Sequence, residues 1–138
     1  MIAEQYGSVL AELPEEYRDR FSDFLAEHPI PFQVLERELQ TYLTTVRLVA
    51  PMVRLFWVED AEKVAATLMA LLQNTPPTAP SAELRLVQAA TRYFMEEAED
   101  QEITGVLGLD DDILVVNAVC RRLGRDELVI PESRQERQ

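Results

Sequence analysis

Cysteine and histidine are almost missing from this chain of 138 residues, which holds one of each, Cys120 and His28. A single cysteine excludes an intramolecular disulfide, and one cysteine with one histidine cannot supply the usual zinc ligand sets. A serine or cysteine triad would have to use His28, so the sequence offers little for nucleophilic catalysis. The scarcity of cysteine favours a reducing cytoplasm as the location.

Basic residues are also few: the chain has 13 Lys and Arg and 25 Asp and Glu, which gives a formal charge of −12. Residues 1–27 carry seven acids and two bases, residues 81–112 carry nine acids and two bases, and residues 28–58 carry two acids and three bases. A polyanion repels nucleic acid at long range. We therefore expect no nucleic-acid ligand, and a protein partner or a homo-oligomer instead.

Long apolar runs are absent as well. The longest candidate is residues 46–58, but Arg47, Pro51 and Arg54 interrupt it. This stretch is much shorter than the roughly 20 apolar residues that a membrane span needs. The first ten residues, MIAEQYGSVL, lack the basic start and apolar core of a signal peptide. The sequence therefore predicts no transmembrane segment.

Helical periodicity dominates what is present. Apolar residues at three-and-four spacing predict two short amphipathic helices before residue 28 and a longer one over residues 32–56. Pro51 lies inside the longer helix, so we expect it to bend there. Glu59 and Asp60 supply acid to the first turn of the helix that follows.

The second half of the chain begins with a proline-rich connection, residues 74–81, which we interpret as a loop between two helical layers. Ser81 then caps a helix, and a last helix runs from about Asp111 to Leu123. The middle of this segment, ILVVNAVC, is rich in branched residues and resembles a buried strand. The aspartates before it and the arginines after it favour a helix, because they complement the helix dipole. Gly124 supplies a left-handed stop.

These elements predict an all-α fold, a compact bundle of about five to six helices with a buried C-terminal helix. We expect residues 1–130 to form a single helical domain, with residues 32–56 packed across the last helix. Residues 131–138 are expected to be a disordered polar tail.

The C-terminal third resembles the YkvA-type domain, a bacterial family of unknown function. RYF at residues 92–94 and VLGLDDD at residues 106–112, followed by an apolar helix, carry the resemblance. The matching positions are Tyr93 for the aromatic residue, Gly108 for the glycine, and Asp111 and Asp112 for the paired acids. Family members have an aspartate-and-proline loop where this chain has EEAEDQEIT, residues 96–104, without proline. The resemblance implies a small helical domain and no established chemistry.

The aspartate cluster has two interpretations. In the structural one, Asp110 would accept hydrogen bonds from free backbone donors of the last helix, and Asp111 and Asp112 would lie favourably at the positive end of its dipole. Alternatively, three adjacent carboxylates repel one another unless a cation neutralises them, so they would bind Mg²⁺ or Ca²⁺ together with Asp100. Such a site would support metal-dependent hydrolysis, although the consecutive spacing does not fit an EF-hand loop.

Arginines form the second candidate site. Arg47 and Arg54 lie on one polar stripe of the helix predicted over residues 32–56, which is either a solvated face or a surface that docks against the acidic segment 96–112. Such docking would occur within the chain or across a dimer. Trp57 belongs to an apolar face that we expect to remain exposed and to pair with a second copy of the chain.

The remaining chemistry is sparse. His28 precedes a proline at a helix end, where a capping role is expected, and Cys120 is expected to be a buried, inert thiol. Asn117 interrupts an apolar stripe, so we expect it to bind a backbone group or a polar neighbour. No catalytic residues and no cofactor are predicted. The expected function is a non-enzymatic cytoplasmic interaction or scaffold domain, with the divalent-cation site as the alternative.

Overall fold

The computed structural model of the chain describes residues 2–49, 55–100 and 110–130. These residues form six α-helices and one short 3-10 helix, which confirms the predicted all-α bundle. The elements are α1 (Ile2–Ala11), α2 (Glu15–Leu25), α3 (Phe32–Val49), α4 (Leu55–Asn74), α5 (Ser81–Asp100), α6 (Asp110–Arg122) and the 3-10 helix Asp126–Leu128. Within the described ranges, no helix is both long and apolar enough to cross a membrane. The predicted tail, residues 131–138, lies outside them.

Helices α5 and α6 form the centre of the fold. α5 packs against α2, α3, α4 and α6, and α6 packs against α1, α4 and α5. The prediction of a buried C-terminal helix is confirmed, because a nearly unbroken run of α6 side chains is fully buried: Val115, Val116, Ala118, Val119 and Cys120. Burying a Val side chain contributes about 1.5–3 kcal/mol, so this run is a large part of the core.

Aromatic rings attach α2 and α3 to α5. Tyr93 of α5 meets Phe21 and Phe24 of α2 edge to face, with ring centroids 6.4 and 6.2 Å apart. Phe94, the next residue of α5, meets Tyr42 of α3 at 5.1 Å in the same geometry. Edge-to-face pairs contribute about 0.5–1.5 kcal/mol each beyond their buried area, and they fix the approach of both helices to α5.

The predicted continuous helix over residues 32–56 is wrong. α3 ends at Val49 and α4 begins at Leu55, with Pro51 between them and outside the described residues. Proline lacks a backbone donor and disfavours a helical conformation in the residue before it, so a proline in this stretch of sequence disfavours one continuous helix.

The contacts of α3 show that the chain reverses direction between these two helices. Arg47 Nη2 and Glu62 Oε1 lie 3.3 Å apart, although a continuous helix would separate residues fifteen positions apart by about 22 Å. α3 packs mainly on α4 and α5. The predicted packing of residues 32–56 across the last helix is therefore also wrong.

Two helices extend further than predicted. α4 starts at Leu55, so Glu59 and Asp60 follow its first turn, and Asp60 is only 4% exposed. α5 continues to Asp100, so the first five residues of the acidic segment 96–104, interpreted as a loop, are helical. Glu and Ala are strong helix formers, which explains the extension.

Helix α6 ends in the predicted left-handed glycine. Gly124 has a φ of 73°. The Arg125 N–H donates to the Cys120 carbonyl at 2.8 Å, and the Gly124 N–H donates to the Arg121 carbonyl at 3.1 Å. This pair of bonds is a Schellman motif, which satisfies carbonyls that the end of a helix leaves without partners.

Replacing Gly124 with alanine should destabilise the protein by about 1–2 kcal/mol, because a left-handed conformation is strained for a residue with a Cβ. The added Cβ would meet nothing within 4 Å, so the cost is conformational only. Gly7→Ala is the matched control, since Gly7 lies within α1 and its Cβ position is equally open. That change should stabilise by about 0.5–1 kcal/mol. Urea denaturation measures both changes, and effects of the same sign would contradict the assignment.

The chain that follows α6 is held by Asn117, as its place in the apolar stripe predicted. The Asn117 Nδ2 donates to the Ile130 carbonyl at 3.0 Å, and its Oδ1 accepts from the Ile130 N–H at 2.7 Å. Asn117 is 2% exposed and Ile130 is 5% exposed. One amide thus satisfies a buried main-chain donor and a buried main-chain acceptor, and it fixes the segment after the 3-10 helix on α6.

Candidate functional site

The three predicted aspartates open α6. Asp112 lies in the first turn of the helix with its side chain 1% exposed. A carboxylate in this turn is stabilised by the positive end of the helix dipole, as the structural interpretation of the cluster expected. Asp110 and Asp111 are the first two residues of α6, and Asp100 ends α5, but the side chains of all three lie outside the described residues.

Cation binding at this cluster stays a prediction. No three His, Cys, Asp or Glu side chains are grouped as metal ligands within the part of the chain that the structure describes. Three of the four predicted ligands, Asp100, Asp110 and Asp111, have side chains outside that part.

Arg47 makes an ion pair with a different carboxylate from those predicted. Its guanidinium meets the Glu62 carboxylate at 3.3 and 3.5 Å, and both side chains are about half exposed. Exposed pairs of this kind contribute about 0–1 kcal/mol. Arg54 lies outside the described residues, and so do the acidic side chains of residues 96–111. Docking of the two arginines on that segment therefore stays a prediction.

The predicted self-association face is only partly described. The side chain of Trp57 lies outside the described residues, although its backbone belongs to α4. Leu48, a large apolar residue near the end of α3, is 75% exposed. Pairing with a second copy through this face stays a prediction.

Cys120 and His28 differ in their surroundings, since the first is buried and the second is exposed. Cys120 is fully buried, as predicted, and burial with the nearby Glu127 carboxylate raises the pKa of its thiol to about 11. A thiol is reactive as the thiolate, so this one is inert near neutral pH. His28 lies beyond the end of α2 with its side chain exposed, and its carbonyl oxygen accepts a hydrogen bond from Gln88.

Gln88 binds the turn between α2 and α3 from the middle of the core. Its Oε1 accepts from the Ile30 N–H at 2.7 Å, and its Nε2 donates to the His28 carbonyl at 2.8 Å. The side chain is 3% exposed. A primary amide carries both a donor and an acceptor, so it can satisfy two main-chain groups of an irregular turn at once.

Arg92 lies one helical turn further along α5 and anchors the same turn. Its Nε and Nη2 donate to the two oxygens of Glu27 at 3.0 and 3.2 Å, and its guanidinium carbon lies 5.6 Å from the centre of the Phe24 ring. A bidentate pair of this kind is stronger and more directional than a single contact. Arg92 therefore contacts both the last turn of α2, through Phe24, and Glu27, two residues beyond the end of that helix.

Arg85 lies one turn before Gln88 and caps α2. Its Nη1 donates to the carbonyls of Leu25 and Glu27 at 2.8 and 3.2 Å. A cation is favoured at a helix C-terminus, where carbonyls lack intrahelical partners. The charge of Arg85 also acts on Tyr6. Burial raises the pKa of the Tyr6 hydroxyl, and the positive charges of Arg85 and Arg122 partly offset that rise.

A cleft of about 620 Å³ opens beside these residues. One wall is the turn after α2 and the start of α3, and the other is the end of α4, the proline-rich connection and the start of α5. Most of the lining is apolar, and it includes four prolines: Pro29, Pro31, Pro76 and Pro77. Arg85 and Glu36 are its charged residues, and Gln88 lies at its border. The volume of the cleft lies within the range of about 300–1,000 Å³ that small-molecule sites occupy.

Sequence reasoning missed this cleft and the three polar residues of α5. Each bond from α5 joins residues 58 to 65 positions apart, a separation that no local pattern encodes. One signal was available: Arg85, Gln88 and Arg92 are spaced by three and four, so they share a face of α5. That face borders the apolar one, which made it resemble a solvated surface.

No protein-family model, curated protein or solved structure matches this chain. The resemblance to the YkvA-type family stays a hypothesis based on the residues quoted for it. Of those residues, Tyr93 is fully buried among the aromatic rings of α2, and Gly108 lies outside the described residues.

Gln88→Met should destabilise the protein by about 1–3 kcal/mol in urea denaturation. The methionine keeps the length of the side chain but leaves the Ile30 N–H and the His28 carbonyl without their partner. Gln40→Met is the control, because Gln40 is exposed on α3 and its side chain makes no such contact. The control should change stability by less than about 0.5 kcal/mol. Equal losses in the two variants would show that the amide does not hold the turn.

Proposed function

We propose that this chain is a non-enzymatic binding domain whose ligand site is the cleft between the α2–α3 turn and the proline-rich connection. The cleft itself supports the proposal, because a concave apolar surface of about 620 Å³ lies within the range of about 300–1,000 Å³ that small-molecule sites occupy. Ligands gain affinity by removing such surface from water. The predicted interaction or scaffold domain, with a protein partner or a second copy of the chain, is likewise non-enzymatic but differs in its ligand.

The cleft is preorganised. Four prolines restrict its rims, since the ring of each fixes φ near −65°. The turn on one side is further held by Gln88 and Arg85 of α5. A site that is already ordered loses less conformational entropy on binding than one that must be ordered by the ligand.

The lining supports binding in preference to catalysis. Its hydroxyl groups are those of Thr75 and Ser81, and within the described residues neither side-chain hydroxyl forms a hydrogen bond with an acid or a base. A nucleophilic hydroxyl is activated by a base within hydrogen-bond reach. His28 is not part of the lining.

Titration with Nile red, a neutral fluorescent dye, tests the proposal. We expect saturable binding at one site. Gln33→Trp should weaken it by about tenfold or more, because Gln33 is an exposed residue of the lining and a bulky ring there would occupy the cleft. Gln40→Trp is the control, since Gln40 is also exposed on α3, seven residues further on, and is not part of the lining.

The control variant should bind the dye as the unmodified protein does. Equal effects of the two tryptophans, or no saturable binding at all, would contradict the proposal. Denaturation curves of both variants check that the fold is retained.

A further inference from the structure

Arg85 is a half-buried cation that has no carboxylate partner among the described residues. Its hydrogen bonds go to two main-chain carbonyls, those of Leu25 and Glu27. Arg47, Arg92 and other arginines of this strongly acidic protein meet a glutamate. The charge of Arg85 caps α2, and it also lies beside an apolar cleft, where it would favour an anionic group on a ligand.

The guanidinium of Arg85 keeps one complete binding edge available. Both described bonds use Nη1, and the Nε and Nη2 groups have no acceptor within the described residues. Arg92, on the same face of α5, shows what this edge does, since its Nε and Nη2 bind both oxygens of Glu27. The matching edge of Arg85 has the geometry for a bidentate carboxylate.

The rest of the lining determines what that carboxylate is attached to. Ile30, Phe32, Leu72 and Leu84 line the cleft with the four prolines, so the ligand carries an apolar body. Glu36 is the lining residue that would repel an anion, and it disfavours a second negative charge on the ligand. The first turn of α3 carries no acidic side chain to add to that repulsion.

We propose that the cleft binds a small monocarboxylate with an apolar body, and that the Nε–Nη2 edge of Arg85 binds its carboxylate. This inference rests on the proposed function, because it names the chemical class of ligand for the same cleft. In that apolar surrounding, a charge-assisted bidentate bond is stronger than it would be in water.

Three ligands with the same chain and different head groups test the proposal: octanoate, 1-octanol and octylammonium. The two ions are titrated below their micelle concentrations, and octanol is titrated below its solubility limit. Calorimetry and two-dimensional NMR give the affinity and the site. Octanoate should bind at least about tenfold more tightly than octanol, since a hydrogen bond to a charged group contributes about 1.5–3 kcal/mol. Octylammonium should bind most weakly. Only octanoate should shift the Nε–H resonance of Arg85 strongly.

Variants of Arg85 test whether this residue causes the preference for octanoate over octanol. Arg85→Met should lower the affinity for octanoate to that for octanol and leave the affinity for octanol unchanged. Arg37→Met is the control, because Arg37 is exposed on α3 and is not part of the lining, and it should change neither affinity. Arg85→Lys keeps the charge but cannot form the bidentate bond, so it should retain part of the preference for octanoate over octanol. If loss of the α2 cap unfolds Arg85→Met, the preference for octanoate over octanol is still measured in the unmodified protein and in Arg85→Lys, and it tests the carboxylate assignment.

Equal binding of octanoate and octanol by the unmodified protein, or an unchanged ratio in Arg85→Met, would overturn the carboxylate assignment and leave the cleft as a binding site. Absence of saturable binding by all three ligands would overturn the proposed function as well.

Discussion

The attachment of the α2–α3 turn to α5 is the constraint on which the rest of the structure depends. Gln88 binds the Ile30 N–H and the His28 carbonyl, and Arg85 and Arg92 hold the end of α2 on either side. These bonds act together with the aromatic contacts of Tyr93 to position α2 on α5, and they hold one wall of the cleft. The turn has little regular hydrogen bonding of its own, so its shape is set by side chains that come from another helix.

The same device appears twice in this fold. Asn117 of α6 binds both main-chain polar groups of Ile130, as Gln88 of α5 binds groups of Ile30 and His28. In each case a nearly buried primary amide comes from one of the two central helices and holds an irregular segment that leaves a helix. An apolar side chain at either position would bury area but leave two main-chain groups without partners, at a cost of about 1–3 kcal/mol per substitution. The amides therefore define where the loops lie.

Local sequence signals predicted most of the helices and little of the site. Three-and-four spacing found α1 and α2, Gly124 marked the end of α6, and the interruption at Asn117 indicated a bond to the backbone. These features depend on neighbouring residues. The prediction failed at Pro51, because apolar periodicity continues across the break and only tertiary packing shows that the chain reverses. The cleft was missed because its walls come from distant segments that meet only when α5 packs between them.

Hydrogen exchange at the Ile30 amide tests the central claim most directly. This amide lies outside any helix and donates to the Gln88 side chain, so we predict that it exchanges slowly, through the same opening that exposes the middle of α5. The Gln33 amide, three residues away in the first turn of α3, has no acceptor within the described residues and should exchange rapidly. Exchange of Ile30 as fast as Gln33 would contradict the account, because the turn would then not be held by α5.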